Sequence, residues 1–141
     1  MIYEFCAENV TLLEKAMQAG ARRIELCDNL AVGGTTPSYG VTKAAVELAS
    51  DYDTTIMTMI RPRGGDFVYN DLEIAIMLED IRVTAQAGSQ GVVFGALTAD
   101  KKLDKANLEK LIAASKGMEI VYHMAFDELS DEDQLEAIDW L

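Results

Sequence analysis

Four sulfur-bearing side chains lie in three short apolar segments of the chain. Cys6 and Cys27 each end such a segment, and Met57 and Met59 lie in the third. Neighbouring strands of a parallel sheet are about 4.8 Å apart, so two cysteines at the ends of adjacent strands could face each other. Two thiolates at that spacing suit two-coordinate Cu(I), a soft ion that selects Cys and Met. This pattern predicts a Cu(I) site on Cys6 and Cys27, with Met57 and Met59 as secondary candidates.

The same four residues also have a purely structural interpretation. Free cysteine is among the most buried residue types, and methionine fills gaps in protein cores. A structural zinc site is not expected, because zinc takes four ligands and neither a Cys-x-x-Cys nor a His-x-x-x-His motif is present. Copper is therefore the one cofactor that the sequence suggests.

A second group of residues could carry out acid-base chemistry. His123 is the only histidine, it ends an apolar segment, and Asp127 follows four residues later. Histidine titrates near neutral pH, which makes His123 the best candidate for proton transfer. Glu25 points the same way as Cys27 on a regular strand, so Glu25 could converge with His123 and act as its partner. The alternative is that His123 is a hydrogen-bonded core residue.

The segment from Arg61 to Asp66 could bind an anion. Arg61 and Arg63 flank a proline, and two glycines precede Asp66. Guanidinium groups match carboxylate and phosphate geometry. Together with His123, these residues define an alternative function, an enzyme acting on a small anionic metabolite. In the structural alternative, both arginines form ion pairs with acids such as Glu25 or Asp66.

Five repeated units must position these residues. In each unit a short apolar segment precedes a longer stretch with helical spacing, which indicates βα units on a parallel sheet. Helices are predicted near residues 12–17, 41–49, 71–87 and 105–116 and after Ser130, which can serve as an N-cap. The predicted strands are residues 2–6, 23–27, 55–60, 91–94 and 119–123.

The spacing of the strands favours a barrel. The strands start 21, 32, 36 and 28 residues apart, and a (β/α)₈ barrel needs about 31 residues for each unit. The sequence therefore predicts an α/β fold of the (β/α)₈ TIM-barrel type, with residues 1–141 as a single, incomplete barrel domain of about five units. An open doubly wound sheet repeats the same unit and stays open as an alternative, although no Gly-x-Gly-x-x-Gly follows the first strand.

Particular motifs give a family resemblance. The chain resembles the CutC family in five motifs in the same order, and the last of them follows His123. They are Arg-Ile-Glu-Leu-Cys (23–27), Gly-Gly-Thr-Thr-Pro-Ser (33–38), Met-Ile-Arg-Pro-Arg-Gly-Gly-Asp-Phe (59–67), Gly-Val-Val-Phe-Gly (91–95) and Ala-Phe-Asp (125–127).

The resemblance carries several implications. It implies a cytoplasmic, single-domain (β/α)₈ barrel that often self-associates and has a role in copper homeostasis. It also implies that three further βα units should follow Leu141. One departure concerns Met124, because the family usually has an arginine after the histidine of the fifth strand. That cation is lost from the barrel mouth here.

Composition narrows the range of partners. The formal charge of −12 repels phosphate backbones and anionic lipid head groups, so neither nucleic acid nor a membrane surface is an expected partner. Seven acids between Asp127 and Asp139 fit a solvated helix start. Two cysteines are too few for a disulfide scaffold, and no apolar run approaches the length of a membrane helix, so we expect a soluble cytoplasmic protein. Open edges on the first and fifth strands predict a homo-oligomer.

Overall fold

The computed structural model describes all residues from 1 to 141 as one five-stranded parallel sheet with helices between the strands. Each strand pairs with the next one along the chain, in the order β1-β2-β3-β4-β5. A doubly wound sheet reverses its strand order at a switch point, so this sequential order is that of a (β/α) barrel. The elements are β1 (Glu4–Glu8), α1 (Leu13–Gln18), β2 (Arg23–Cys27), α2 (Tyr39–Ala49), β3 (Thr55–Met59), α3 (Asp71–Ala87), β4 (Gly91–Phe94), α4 (Lys105–Ala114), β5 (Glu119–Tyr122) and α5 (Asp131–Trp140).

Side-chain alternation gives the sheet two different faces. The outer face packs on the helices and is aliphatic; Ile24 and Leu26 of β2, for example, are fully buried against residues of α1 and α2. Each such side chain contributes about 1.5–3 kcal/mol on burial. The inner face carries the alternate residues, including Glu25 and Cys27 of β2 and Met57 and Met59 of β3. The candidate metal ligands therefore lie inside the curve of the sheet.

Local sequence explains where the helices begin. Asn70 caps α3 by accepting a hydrogen bond from the Glu73 N–H, and the Glu73 carboxylate accepts one from the Asn70 N–H, which completes a capping box. Ser130 caps α5 by accepting from the Asp133 N–H, as the sequence predicted. Gly88 ends α3 in the left-handed conformation (φ 92°) that glycine adopts without strain.

The acidic C-terminal segment is a solvated helix start. Its acids pair with lysines that precede or begin α4, in the three ion pairs Lys101–Glu128, Lys102–Asp133 and Lys105–Glu136. Lys105–Glu136 joins α4 to α5, the other two pairs link the segment before α4 to α5 and to the turn before it, and each such pair contributes little to stability on its own.

None of the five helices has the length and apolar character that crossing a membrane requires.

Candidate functional site

Cys6, Glu25 and Cys27 form one cluster on the inner face of β1 and β2. In the register of the two strands, Cys6 lies directly opposite Glu25, and Cys27 is two residues further along β2. The Glu25 Oε1 atom is 3.5 Å from the Cys6 Sγ and 3.8 Å from the Cys27 Sγ. One ligand atom from each residue lies within 4.8 Å of the other two. The two thiols and the carboxylate could therefore contact a single ion.

The three side chains of the cluster differ in exposure. Cys6 is exposed, Glu25 is half-buried, and Cys27 is fully buried. Burial raises the pKa of the Cys27 thiol, and the neighbouring Cys6 and Glu25 raise it further. Burial also raises the pKa of Cys6, with the Glu25 charge second, and burial raises the pKa of Glu25 itself. These raised pKa values mean that ionising the three groups together is unfavourable. A bound cation would favour the ionised forms, because its positive charge offsets the negative charge of the thiolates.

The two methionines lie beside this cluster in different ways. A Cβ atom built on Gly34 would lie 3.0 Å from the Cys27 Sγ and 3.5 Å from the Met59 Cε. Met59 is thus a close neighbour of Cys27 beneath the glycine loop. A Cβ atom on Gly91 would lie 2.5 Å from the Met57 Sδ, so the Met57 thioether extends toward β4. Met59 is the better placed of the two for a soft metal at Cys27.

Arg61 lies at the end of β3 and is buried, with 2% of its surface exposed. Its Nη1 atom donates to the carbonyl oxygens of Val32 (2.8 Å) and Gly34 (2.9 Å), and its Nη2 atom donates to that of Gly65 (2.8 Å). No carboxylate pairs with it. The ion pair with Glu25 or Asp66 that sequence allowed as an alternative does not form at Arg61.

Arg63 has a different role from Arg61. Its Nε atom contacts Glu73 at 2.5 Å, and its Nη2 atom contacts the Asp66 carboxylate at 3.1 Å. The same Asp66 carboxylate accepts a hydrogen bond from the Val68 N–H. Arg63 and Asp66 therefore shape the loop after β3, which is the ion-paired alternative that the sequence left open for Arg63. Ligand binding by these two residues stays a prediction.

His123 is a buried residue, with 7% of its surface exposed. Its Nδ1 atom accepts a hydrogen bond from the Ala125 N–H at 3.2 Å. Burial, together with the Arg61 charge, lowers the pKa of His123 to about 4. The ring is consequently neutral near pH 7, and with Nδ1 as acceptor its proton resides on Nε2.

Glu25 and Asp127 lie apart from His123. Glu25 shares a level of the sheet with Met57, Gly91 and Glu119, whereas His123 is four residues beyond Glu119, or about 13 Å along the strand. Asp127 is exposed in the short 3₁₀ turn that follows His123. The structure thus joins Glu25 to the cysteines and leaves His123 near Arg61.

Two aromatic residues of the site were not anticipated from the sequence. The Phe67 ring neighbours both Arg61 and His123, with the Arg61 Cζ 4.9 Å and the His123 ring centroid 5.0 Å from its centroid. Tyr69 lies beneath Arg63, whose Cζ is 5.3 Å from its ring centroid. For Phe67, the only signal in the sequence was the motif that contains it. For Tyr69 there was no signal, since no local pattern marks an aromatic residue as the neighbour of a particular arginine.

Comparison with known proteins gives a consistent result over the whole chain. The family model described as the CutC family matches residues 1–141. Proteins named as CutC family members from Enterococcus faecalis and Streptococcus pyogenes are each 54% identical over 141 residues, which is all of this chain and 68% of theirs. One from Vibrio vulnificus is 46% identical over 130 residues, which is 91% of this chain and 51% of that protein. The chain therefore spans between half and about two thirds of these relatives.

Solved structures show the same fold. A crystal structure of a CutC protein from Streptococcus agalactiae, whose description assigns it provisionally to copper homeostasis, superposes with a TM-score of 0.94 at 49% identity. The match covers 99% of this chain and 66% of that one. A rubisco-like protein from Burkholderia fungorum superposes with a TM-score of 0.66 at 11% identity, covering 99% of this chain and 36% of that one, which supports the fold alone.

Proposed function

The chain belongs to the CutC family, and we propose that it binds Cu(I) through Cys6 and Cys27 as part of copper homeostasis. The observation that carries the proposal is the cluster in which the ligand atoms of Cys6, Glu25 and Cys27 lie within 4.8 Å of one another. The description of the Streptococcus agalactiae relative supports the same role.

The donor set favours Cu(I) over harder ions. Cu(I) prefers soft thiolate and thioether ligands and accepts two-coordinate geometry, whereas zinc requires four ligands and calcium or magnesium requires mostly oxygen. Cys6 and Cys27 supply two sulfur atoms, and the Met59 side chain packs in the same cluster as Cys27. Glu25 contacts both thiols and keeps them oriented toward a common point. The chain's net charge of −12 attracts any cation.

We further propose the domain, the cellular compartment and the association state in which this site binds its metal. Residues 1–141 form part of one (β/α)₈ domain, since five strands in sequential order give the start of such a barrel. We infer a cytoplasmic location, because a reducing compartment keeps both thiols available for a metal. In residues 1–141, β1 and β5 each pair with a single neighbour, and exposed strand edges promote pairing with a second chain. Self-association of the 141-residue chain is therefore part of the proposal.

A Cu(I) titration tests the central claim. The reduced protein is titrated anaerobically with Cu(I) against a chromophoric Cu(I) chelator, and the double variant Cys6→Ser/Cys27→Ser is titrated in parallel. Met118→Leu is the matched control, because it removes a sulfur atom from the helix-packed side of the sheet, away from the cluster. We expect one tight equivalent in the wild type and in Met118→Leu and none in the double variant. Tight binding retained by the double variant would contradict the proposal.

A further inference from the structure

The guanidinium of Arg61 is a buried positive charge without a counter-ion. Three carbonyl oxygens and the face of Phe67 surround it, and these supply only partial negative charge. Asp66 of the loop after β3 and Glu73 of the first turn of α3 are already engaged, Asp66 by Arg63 and the Val68 N–H, and Glu73 by Arg63 and the Asn70 N–H. Removing an unpaired charge from water is costly, so a negative partner would stabilise this arrangement.

The buried side-chain polar atoms without a hydrogen-bond partner all belong to Arg61 or to residues around it. They are Arg61 Nε, Tyr69 Oη and His123 Nε2. All three residues are more than nine-tenths buried. Native proteins leave few such atoms unpartnered, and each one requires an explanation, of which a bound ion is one.

The positions of these residues link them into one site. The Phe67 ring centroid lies 4.9 Å from the Arg61 Cζ and 5.0 Å from the His123 ring centroid, so Phe67 neighbours both residues. Burial, followed by the Arg61 charge, lowers the pKa of His123; burial raises the pKa of Tyr69, and the Arg61 charge opposes that rise. Arg61 is therefore near both of the other residues. The site lies at the carboxyl ends of β3 and β5, the side on which barrels of this type bind ligands.

The chemistry of the three atoms specifies the kind of ligand. Arg61 Nε carries a hydrogen, and His123 Nε2 carries one because Nδ1 accepts from the Ala125 N–H. Tyr69 adds a hydroxyl that can also donate. Two N–H groups and a hydroxyl that can donate, next to one net positive charge, match an anion with oxygen acceptors. We propose that Arg61, Tyr69 and His123 bind a small oxyanion, a carboxylate or phosphate group, at this end of the sheet.

Two loops meet at Arg61. A Cβ atom on Gly64 would lie 2.7 Å from the Cβ of Val32, so the loop after β3 touches the loop after β2 directly. Arg61 bonds to both loops, through Val32 and Gly34 on one side and Gly65 on the other.

The single histidine provides a direct test. Ring ¹⁵N NMR of the 141-residue chain contains one imidazole, and it is followed while sodium phosphate or sodium formate replaces sodium chloride at constant ionic strength and pH. We expect a saturable shift of the Nε2–H resonance with at least one of the two anions. Saturation with formate alone identifies a carboxylate site, and saturation with phosphate alone identifies a phosphate site.

Variants separate the site from general salt effects. Tyr69→Phe removes one donor and keeps the ring, and we expect it to weaken the anion affinity by about tenfold, the worth of one hydrogen bond to a charged group. Lys102→Gln removes an exposed cation elsewhere and should leave the affinity unchanged. The proposal is overturned if neither anion gives a saturable shift, or if Tyr69→Phe and Lys102→Gln both bind as the wild type does.

Discussion

Cys6 and Glu25 occupy directly paired positions of β1 and β2, and the Cys6 Sγ lies 3.5 Å from the Glu25 Oε1. The same oxygen lies 3.8 Å from the Cys27 Sγ. A single carboxylate therefore bridges an exposed thiol and a buried one. This relationship converts two cysteines of adjacent strands into a three-residue cluster.

The difference in exposure between the two cysteines predicts their reactivity. In the native, metal-free protein at alkaline pH we expect the exposed Cys6 thiol to react faster with a chromogenic disulfide reagent than Cys27, which is fully buried and should react only on unfolding. Cys27→Ser should retain the fast phase and Cys6→Ser should lose it. Two equally fast thiols in the wild type would show that the cluster is open to solvent, contrary to this structure.

Gly91 should be intolerant of any side chain. A Cβ atom there would lie 2.5 Å from the Met57 Sδ and 2.8 Å from the Glu119 carbonyl oxygen, and that carbonyl cannot move without disturbing the sheet. Overpacking of this kind costs about 1–3 kcal/mol, so urea unfolding of Gly91→Ala should show that loss. Gly40→Ala is the control, since its nearest neighbour would be 3.9 Å away and alanine favours the helix. Equal stability of the two variants would contradict the packing of Met57.

His123 should make stability depend on pH below neutrality. Its pKa is lowered from 6.5 to about 4 in the folded protein. As the pH falls from 6.5 toward 4, the histidine of the unfolded chain binds a proton, whereas His123 in the folded protein stays neutral. The free energy of unfolding therefore decreases across that window, by about 3 kcal/mol for this group. Urea unfolding at several pH values should show a steeper loss in the wild type than in His123→Gln. Parallel profiles would show that His123 titrates normally.

The capping box of α3 should contribute measurably to stability. The Asn70 side chain accepts from the Glu73 N–H at 2.9 Å, and the Glu73 carboxylate in turn holds Arg63. Asn70→Ala should lower the free energy of unfolding by about 1 kcal/mol, whereas Asn70→Ser keeps an oxygen acceptor and should lose much less. Chemical denaturation of both variants measures the difference. Identical losses would mean that the cap is not the source of the effect.

The edges of the sheet should govern association of the 141-residue chain. We expect multi-angle light scattering to detect oligomers, because β1 and β5 each have one strand neighbour in residues 1–141. Ile120→Lys places a charge on β5 and should shift the population toward monomer, while Leu72→Lys, at an exposed position of α3, should not. A monodisperse wild-type monomer with a cooperative melt would argue against association through these edges.

Local sequence was enough to determine most of the secondary structure. The predicted β2, β4 and α3 have the observed bounds, and Ser130 caps α5 as expected. Caps, glycine stops and apolar periodicity act within a few residues, which is why they can be recognised from the chain alone. The first strand was predicted at residues 2–6 but lies at Glu4–Glu8, because its ends depend on pairing with β2.

The sequence by itself determined the (β/α) repeat and the family, and it predicted that Cys6 and Cys27 lie on adjacent parallel strands. Only the tertiary structure decided that Glu25 lies with the thiols, about 13 Å along the strands from the level of His123. Only the tertiary structure distinguished Arg61, buried without an acid, from Arg63, paired with Glu73 ten residues away. These assignments depend on strand register and on how loops fold over the strand ends. Both arise from contacts between segments far apart in the chain, which no local pattern of residues encodes.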